Sequence, residues 1–136
     1  MNIRQSKTVD GNIFERLMLS GAANLKLHAA TVDGLNVFPI PDGDTGENMC
    51  MTINGGIQPM KNVDKNSLCE KAKAFSEGML LSARGNSGVI LSQLFYGTAA
   101  ALAKKEQVSL YDLADSFERG VECAYKAVVK PVEGTI

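Results

Sequence analysis

Asn36-Val37-Phe38-Pro39-Ile40-Pro41-Asp42-Gly43-Asp44-Thr45-Gly46-Glu47-Asn48-Met49 separates one helical pattern before it from several after it, in a chain of 136 residues. The stretch cannot be a regular element. Pro39 and Pro41 lack a backbone N–H, and each steers the residue before it away from the α region. Gly43 and Gly46 open dihedrals that other residues avoid. A stiff approach therefore enters a tight turn that carries Asp42 and Asp44 two residues apart. Carboxylates this close repel unless a cation or hydrogen-bond donors compensate. A hard divalent cation such as magnesium takes such oxygens and keeps waters that phosphate oxygens can replace. The turn supports two readings. It is a plain Asp-Gly-Asp turn, because these residues favour turns for conformational reasons alone, or it is a metal–phosphate site with Asp42 and Asp44 as ligands. A calcium loop of the EF-hand type is excluded. Counted from Asp42, Gly46, Glu47 and Ile53 stand where that loop needs Asp or Asn, Gly and Glu.

Upstream, residues 1–9 are polar and read as extended. Phe14, Leu17, Met18, Gly21, Ala22, Leu25, Ala29 and Val32 then recur at three- and four-residue steps. That stripe predicts one amphipathic helix over about 11–33, capped by Asp10 or Asn12 and stopped by Gly34. His28 lies beside the stripe with no Cys, Asp, Glu or second His one turn away, so it reads as a partly buried helix residue and not a ligand. Downstream, a short helix is predicted over Thr45–Ile57, with its first N–H groups close to Asp44. Gly55-Gly56 and Pro59 are expected to end it. Ser67-x-x-Glu70 is a capping box that opens a helix over 68 to about 83. Gly78 inside it costs about 1 kcal/mol against Ala, which close helix packing would justify. Gly85 is expected to end that helix and Asn86 or Ser87 to cap the next, which runs to about Lys104. Ser109 and Asp112 make a second capping box, for a last helix reaching about Val129 before Pro131. Period-two alternation is not seen. The predicted fold class is all-α, with four long helices and one short one in antiparallel succession, without repeat or interdomain linker.

Composition narrows the function. A net charge of −1, from 14 basic and 15 acidic residues, provides no patch for a nucleic-acid backbone. No apolar run approaches the roughly 18 residues of a membrane span, and the N-terminus lacks a signal-peptide core. Cys50, Cys69 and Cys123 are odd in number and far apart, which argues against a disulfide framework or a zinc knuckle and fits a cytoplasmic location. Each reads as a small buried apolar residue.

Ala83-Arg84-Gly85-Asn86-Ser87-Gly88 is a second turn that opens a helix. Its glycines allow close backbone approach, and its amides, Asn86, Ser87 and Arg84 could cradle phosphate. An ordinary, well-capped helix connection explains it equally well. No P-loop and no Gly-x-Gly-x-x-Gly occurs.

The two turns together are familiar. The Asn36–Met49 stretch, the segment Ser82-Ala83-Arg84-Gly85-Asn86-Ser87-Gly88-Val89-Ile90-Leu91-Ser92-Gln93 and the ending Lys130-Pro131-Val132-Glu133-Gly134-Thr135-Ile136 resemble the nucleotide-binding domain of the dihydroxyacetone kinase L-subunit (DhaL-like) superfamily. The resemblance covers nearly the whole chain and is nearer to the branch that includes the ATP-binding subunit of bacterial fatty acid kinase. It implies an antiparallel eight-helix barrel with ATP or ADP at one end and magnesium on an aspartate cluster. Asp42 and Asp44 match two of the three aspartates of the glycerone-kinase members. The third falls near Asn36, which is neutral and one residue further from Asp42, and Thr45 stands in place of a histidine. Thr45, Asn48, Asn86, Ser87 and Gly88 match positions near the nucleotide phosphates, Thr135 matches the end of the nucleotide pocket, and Asp42, Asp44 and Arg84 form the implied catalytic set.

The implied reaction is phosphoryl transfer with in-line attack. In the fatty acid kinase branch the acceptor is the carboxylate of a fatty acid presented by a DegV-like binding protein, and the product is an acyl phosphate. The alternatives are a glycerone (dihydroxyacetone)-type kinase subunit and a non-catalytic nucleotide-binding or regulatory module. Asn36, the Phe38–Pro41 run and the Arg84–Gly88 turn argue against the first of these. With fewer than eight helices predicted, residues 1–136 read as the N-terminal part of one such domain, with no second domain. An incomplete barrel would leave an apolar side open, which a second copy of the chain, as a homodimer, could cover.

Overall fold

The computed structural model describes residues 8–35 and 44–127. In chain order they form β1 (Thr8–Val9), α1 (Gly11–Leu27), α2 (Ala29–Leu35), α3 (Thr45–Lys61), α4 (Leu68–Ser82), α5 (Gly85–Ala101), β2 (Val108–Ser109) and α6 (Leu110–Ala127). The all-α class holds, with one addition that hydrophobic periodicity does not reveal. β1 and β2 pair antiparallel, Thr8 opposite Ser109 and Val9 opposite Val108, and two residues are too few to display alternation.

The starts of α1, α4 and α6 obey the capping rules. Asp10 accepts from the Ile13 N–H at 2.9 Å, Ser67 from the Glu70 N–H at 3.4 Å and Ser109 from the Asp112 N–H at 3.0 Å. Each bond satisfies a first-turn amide that the helix itself cannot. The long helices pack up and down, with α3 against α4, α4 against α5, α5 against α6, and α1 across α3 and α4. Four phenyl rings run through the core edge to face: Phe14–Phe75 at 6.1 Å, Phe75–Phe95 at 5.2 Å and Phe95–Phe117 at 5.9 Å. They join α1, α4, α5 and α6 with the geometry that aromatic quadrupoles favour.

One end of the bundle is closed by polar links. The Leu68 and Cys69 amides donate to the carbonyls of Glu106 and Lys105. Asn66 donates to Asp10 and accepts from the Asn12 N–H. Lys71, with only 5% of its side chain exposed, donates to Glu15 at 2.9 Å and to the Val63 carbonyl at 3.1 Å. Its ammonium thereby holds α1 and α4 to the last turn of α3, where a cation is favourable.

Several predicted boundaries move, each for a physical reason. The helix expected over 11–33 is two helices. His28 leaves helical geometry at φ −107°, ψ 11°, and its N–H is shared among Asn24, Leu25 and Lys26 carbonyls. The break lets α2 bend onto the start of α3, where Asp33 accepts the Gly46 N–H. His28 is exposed, not partly buried, and the three cysteines are half-buried rather than buried. The short helix expected to stop before Gly55-Gly56 continues to Lys61, with Pro59 in its last turn. Those glycines are contact points. A Cβ on Gly56 would strike the Phe75 carbonyl, and one on Gly78 would lie 2.9 Å from the Gly56 Cα. The α3–α4 seam closes only without side chains. At the start of α5, Arg84 is the cap residue and Gly85 the first helical one, so Ser87 is not a cap.

Gly56→Ala should therefore destabilise the protein by about 1–3 kcal/mol in urea unfolding, the usual cost of overpacking, although alanine favours helix. Gly21→Ala, where an added Cβ meets nothing within 4 Å, should stabilise it by roughly 0.5–1 kcal/mol.

The Asp10 cap makes a pH-dependent contribution. Burial pushes its carboxyl up, but hydrogen bonds from Ile13, Asn66 and Asn12 outweigh burial and hold it below the usual carboxylate value. A depressed folded pKa stabilises fully above the unfolded value of about 3.9 and is lost as pH falls through the folded one. Asp10→Ala should cost about 1 kcal/mol at neutral pH, and the difference between variant and parent should shrink as unfolding is followed towards pH 3.

Candidate functional site

The other end of the bundle gathers the starts of α3 and α5 and the end of α4. Between them lies an open cleft of about 980 Å3, lined by Asp44, Asn48, Met51, Asn54, Leu81, Ser82, Ala83, Arg84 and Gly85. Asp44 is the residue before α3 and its carbonyl accepts the Asn48 N–H at 2.9 Å. Arg84 precedes α5 in an extended conformation and is exposed. Gly85 has φ +66°, a left-handed value that a Cβ would make costly, and that Cβ would also meet the Asn48 side-chain amide at 2.5 Å. The sharp turn out of α4 thus needs glycine twice over, for its dihedral and for its neighbour.

Two buried hydroxyls lock the turns together beneath the cleft. Ser87, 4% exposed, donates from Oγ to the Thr45 carbonyl at 3.2 Å. Thr52, fully buried, donates from Oγ1 to the Asn48 carbonyl at 2.8 Å and accepts the Arg84 N–H at 3.1 Å. Gly88 lies so close to Thr52 that a Cβ there would overlap its hydroxyl oxygen.

Of the residues singled out in the sequence, the structure brings Asp44, Asn48 and Arg84 to the cleft. Thr45, Ser87 and Gly88 sit buried behind it, and Asn86 is exposed at the start of α5. Asn36, Asp42 and Thr135 lie outside the described residues. Among the described residues no three His, Cys, Asp or Glu side chains come together as a metal site. The cleft also contains residues that the sequence did not flag, Met51, Asn54, Leu81 and Ser82. Thr52 and Asp33 were missed too. A threonine in mid-helix and an acid at the end of one leave no local signature of their distant partners.

The electrostatics suit an anion beside a cation. α5 forms its first intrahelical bond from the Gly88 N–H to the Arg84 carbonyl, which leaves the amides of Gly85, Asn86 and Ser87 ahead of it at the positive end of the helix. The Arg84 guanidinium adds a full charge that matches phosphate oxygens, and Asp44 supplies an oxygen suited to a hard cation. A thiolate nucleophile finds no support in Cys50 of α3. Burial, reinforced by the Asp33 carboxylate, pushes its thiol up.

No helix among the described residues is long and apolar enough to cross a membrane. Residues 39–136 match the model of the DAK2 domain family. The chain is 50% identical over 128 residues to an uncharacterised protein of Staphylococcus saprophyticus and 47% identical over 130 residues to the protein YloV of Bacillus subtilis. These alignments take in 94% and 96% of this chain but 23% and 24% of the relatives. An uncharacterised protein of Staphylococcus aureus is 49% identical over 128 residues. The chain spans about a quarter of the length of the curated relatives it matches.

Proposed function

The chain belongs to the DAK2 domain family, a kinase-related family, and on that footing we propose that its cleft binds ATP or ADP with magnesium and serves phosphoryl transfer. The observation that carries the reading is the meeting of Asp44 and Asn48 with Arg84 and Gly85 in one cleft at the starts of two helices. A carboxylate, a cation and outward amides in one place answer the needs of a polyphosphate and its metal.

Each residue then has a task. Arg84 and the first-turn amides of α5 hold phosphate oxygens and neutralise charge as it shifts. Asn48 orients a phosphate oxygen from the α3 side. Asp44, with Asp42 and Asn36 from the preceding segment of sequence, would hold magnesium, which when bound would supply positive charge against the phosphates. Among the described residues Asp44 is the one carboxylate that lines the cleft, an oxygen donor of the kind such an ion takes. Asn86, Ser87 and Gly88 shape the cradle, and Thr45 and Thr135 complete the nucleotide pocket. The protein contributes position and electrostatic stabilisation rather than a covalent intermediate.

For the acceptor we propose a fatty acid carboxylate presented by a DegV-like binding protein, giving an acyl phosphate in the cytoplasm. The resemblance of the Asn36–Met49 and Ser82–Gln93 segments to that branch supports the choice. ATP consumption that depends on the loaded binding protein, and not on dihydroxyacetone, is the expected result. The reverse would assign a glycerone-type kinase.

Binding is tested first by thermal unfolding. ADP and magnesium together should raise the midpoint further than either alone, with about 2.7 kcal/mol of added stability at a hundred times the dissociation constant. Asp44→Asn should remove the magnesium-dependent part, and Arg84→Ala should weaken ADP with or without magnesium. A midpoint indifferent to every combination would overturn the site.

A further inference from the structure

Thr52 of α3 does not line the cleft, yet it bonds to the Asn48 backbone on one side of it and to the Arg84 backbone on the other. Its side chain is fully buried. A threonine hydroxyl has one proton to give, and this one goes to the Asn48 carbonyl at 2.8 Å. A lone pair takes the Arg84 N–H at 3.1 Å, across 32 residues of sequence. The helix has no need of the first bond, which is a local back-bond of the kind that mid-helix threonines make at slight cost. The second bond fixes the backbone of the cationic residue in the cleft, one position before the left-handed Gly85. Gly88 in α5 presses against the same hydroxyl, in a space where a Cβ would overlap it. Three segments thus converge on a single oxygen: the α3 turn that carries Asn48, the turn that carries Arg84, and the first turn of α5.

Resting on the reading of the cleft as a nucleotide site, we infer that Thr52 is a positioning residue for phosphate binding. It touches no phosphate. Its hydroxyl fixes the spacing between Asn48 on one wall and the Arg84–Gly85 turn on the other, so that donors from both reach one polyphosphate. Ser87, bonded to the Thr45 carbonyl, makes a parallel link one turn away, so the two walls cannot rotate about Thr52 alone. Removing the hydroxyl leaves the Arg84 amide without its partner while the fold keeps its seams.

The experiment compares Thr52→Val and Thr52→Ser in the full chain. Valine keeps the shape and loses the hydroxyl; serine keeps the hydroxyl and loses a methyl group. ADP affinity is measured by isothermal titration at saturating magnesium, with unfolding midpoints and the hydrogen exchange of the Arg84 amide recorded alongside. The expected result is that valine weakens ADP by about tenfold or more and speeds exchange at Arg84. Serine should bind within about twofold of the parent, although the lost methyl lowers its midpoint. Valine binding like the parent, serine losing as much as valine, or affinity tracking the midpoint in both would overturn the proposal. A parent chain that binds no ADP would refute the site itself, and the role of Thr52 with it.

Discussion

The closeness of α3 and α4 is the constraint on which the rest depends. Gly55 and Gly56 on one helix and Gly78 on the other meet backbone to backbone, and Ser82 fills the space where a Gly55 side chain would stand. Three glycines within helices cost about 1 kcal/mol each against alanine. In return the end of α4 arrives beside the first turns of α3, and the chain can leave it through Arg84 and Gly85 directly over Asn48 and Thr52. Wider spacing would carry the Arg84 turn away from Asp44. α5 and α6 repeat the device at Gly97 and Gly120, so the bundle is assembled from helices that approach at glycine and fill the remaining space with phenyl rings.

This packing divides labour between the ends of the molecule. One end is tied by the β1–β2 pair, Asn66, the carbonyls of Lys105 and Glu106, and the Lys71–Glu15 pair. Most of these bonds join segments far apart in sequence. The opposite end carries the cleft, where Leu81 stands 91% exposed at the rim and Arg84 faces solvent. The two ends thus differ in what their cross-links do: at one they close the bundle, and at the other the bonds of Ser87 and Thr52 lie beneath an open cleft.

Much of the fold was legible because it is local. Phe14, Phe75, Phe95 and Phe117 lie on three- and four-residue apolar stripes, and Ser67 and Ser109 announce their helices by capping chemistry that a sequence displays. Gly55-Gly56 and Pro59 misled for the same reason: read locally they are breakers, and only Phe75 and Gly78 across the seam reveal them as contacts. At the cleft, the two turns that lead to Asp44, Asn48 and Arg84 are legible in the sequence, and the structure brings these three residues together. Asp33 and Thr52 are not legible, because the meaning of each lies in a bond to a backbone group 13 or 32 residues away. In sequence Ser87 reads as a cap or phosphate donor, whereas its hydroxyl donates to the Thr45 carbonyl. A serine beside glycine looks the same in sequence whichever way its oxygen turns.

Lys71 has a consequence beyond the fold. Every other lysine among the described residues is exposed, while this one spends its protons on Glu15 and on carbonyls at the end of α3. An acylating reagent that attacks free amines therefore meets Lys71 only when α1, α3 and α4 part together. Lys71 is a clock for that opening: its rate of chemical capture reports on the closed end, while the other described lysines react at the surface rate.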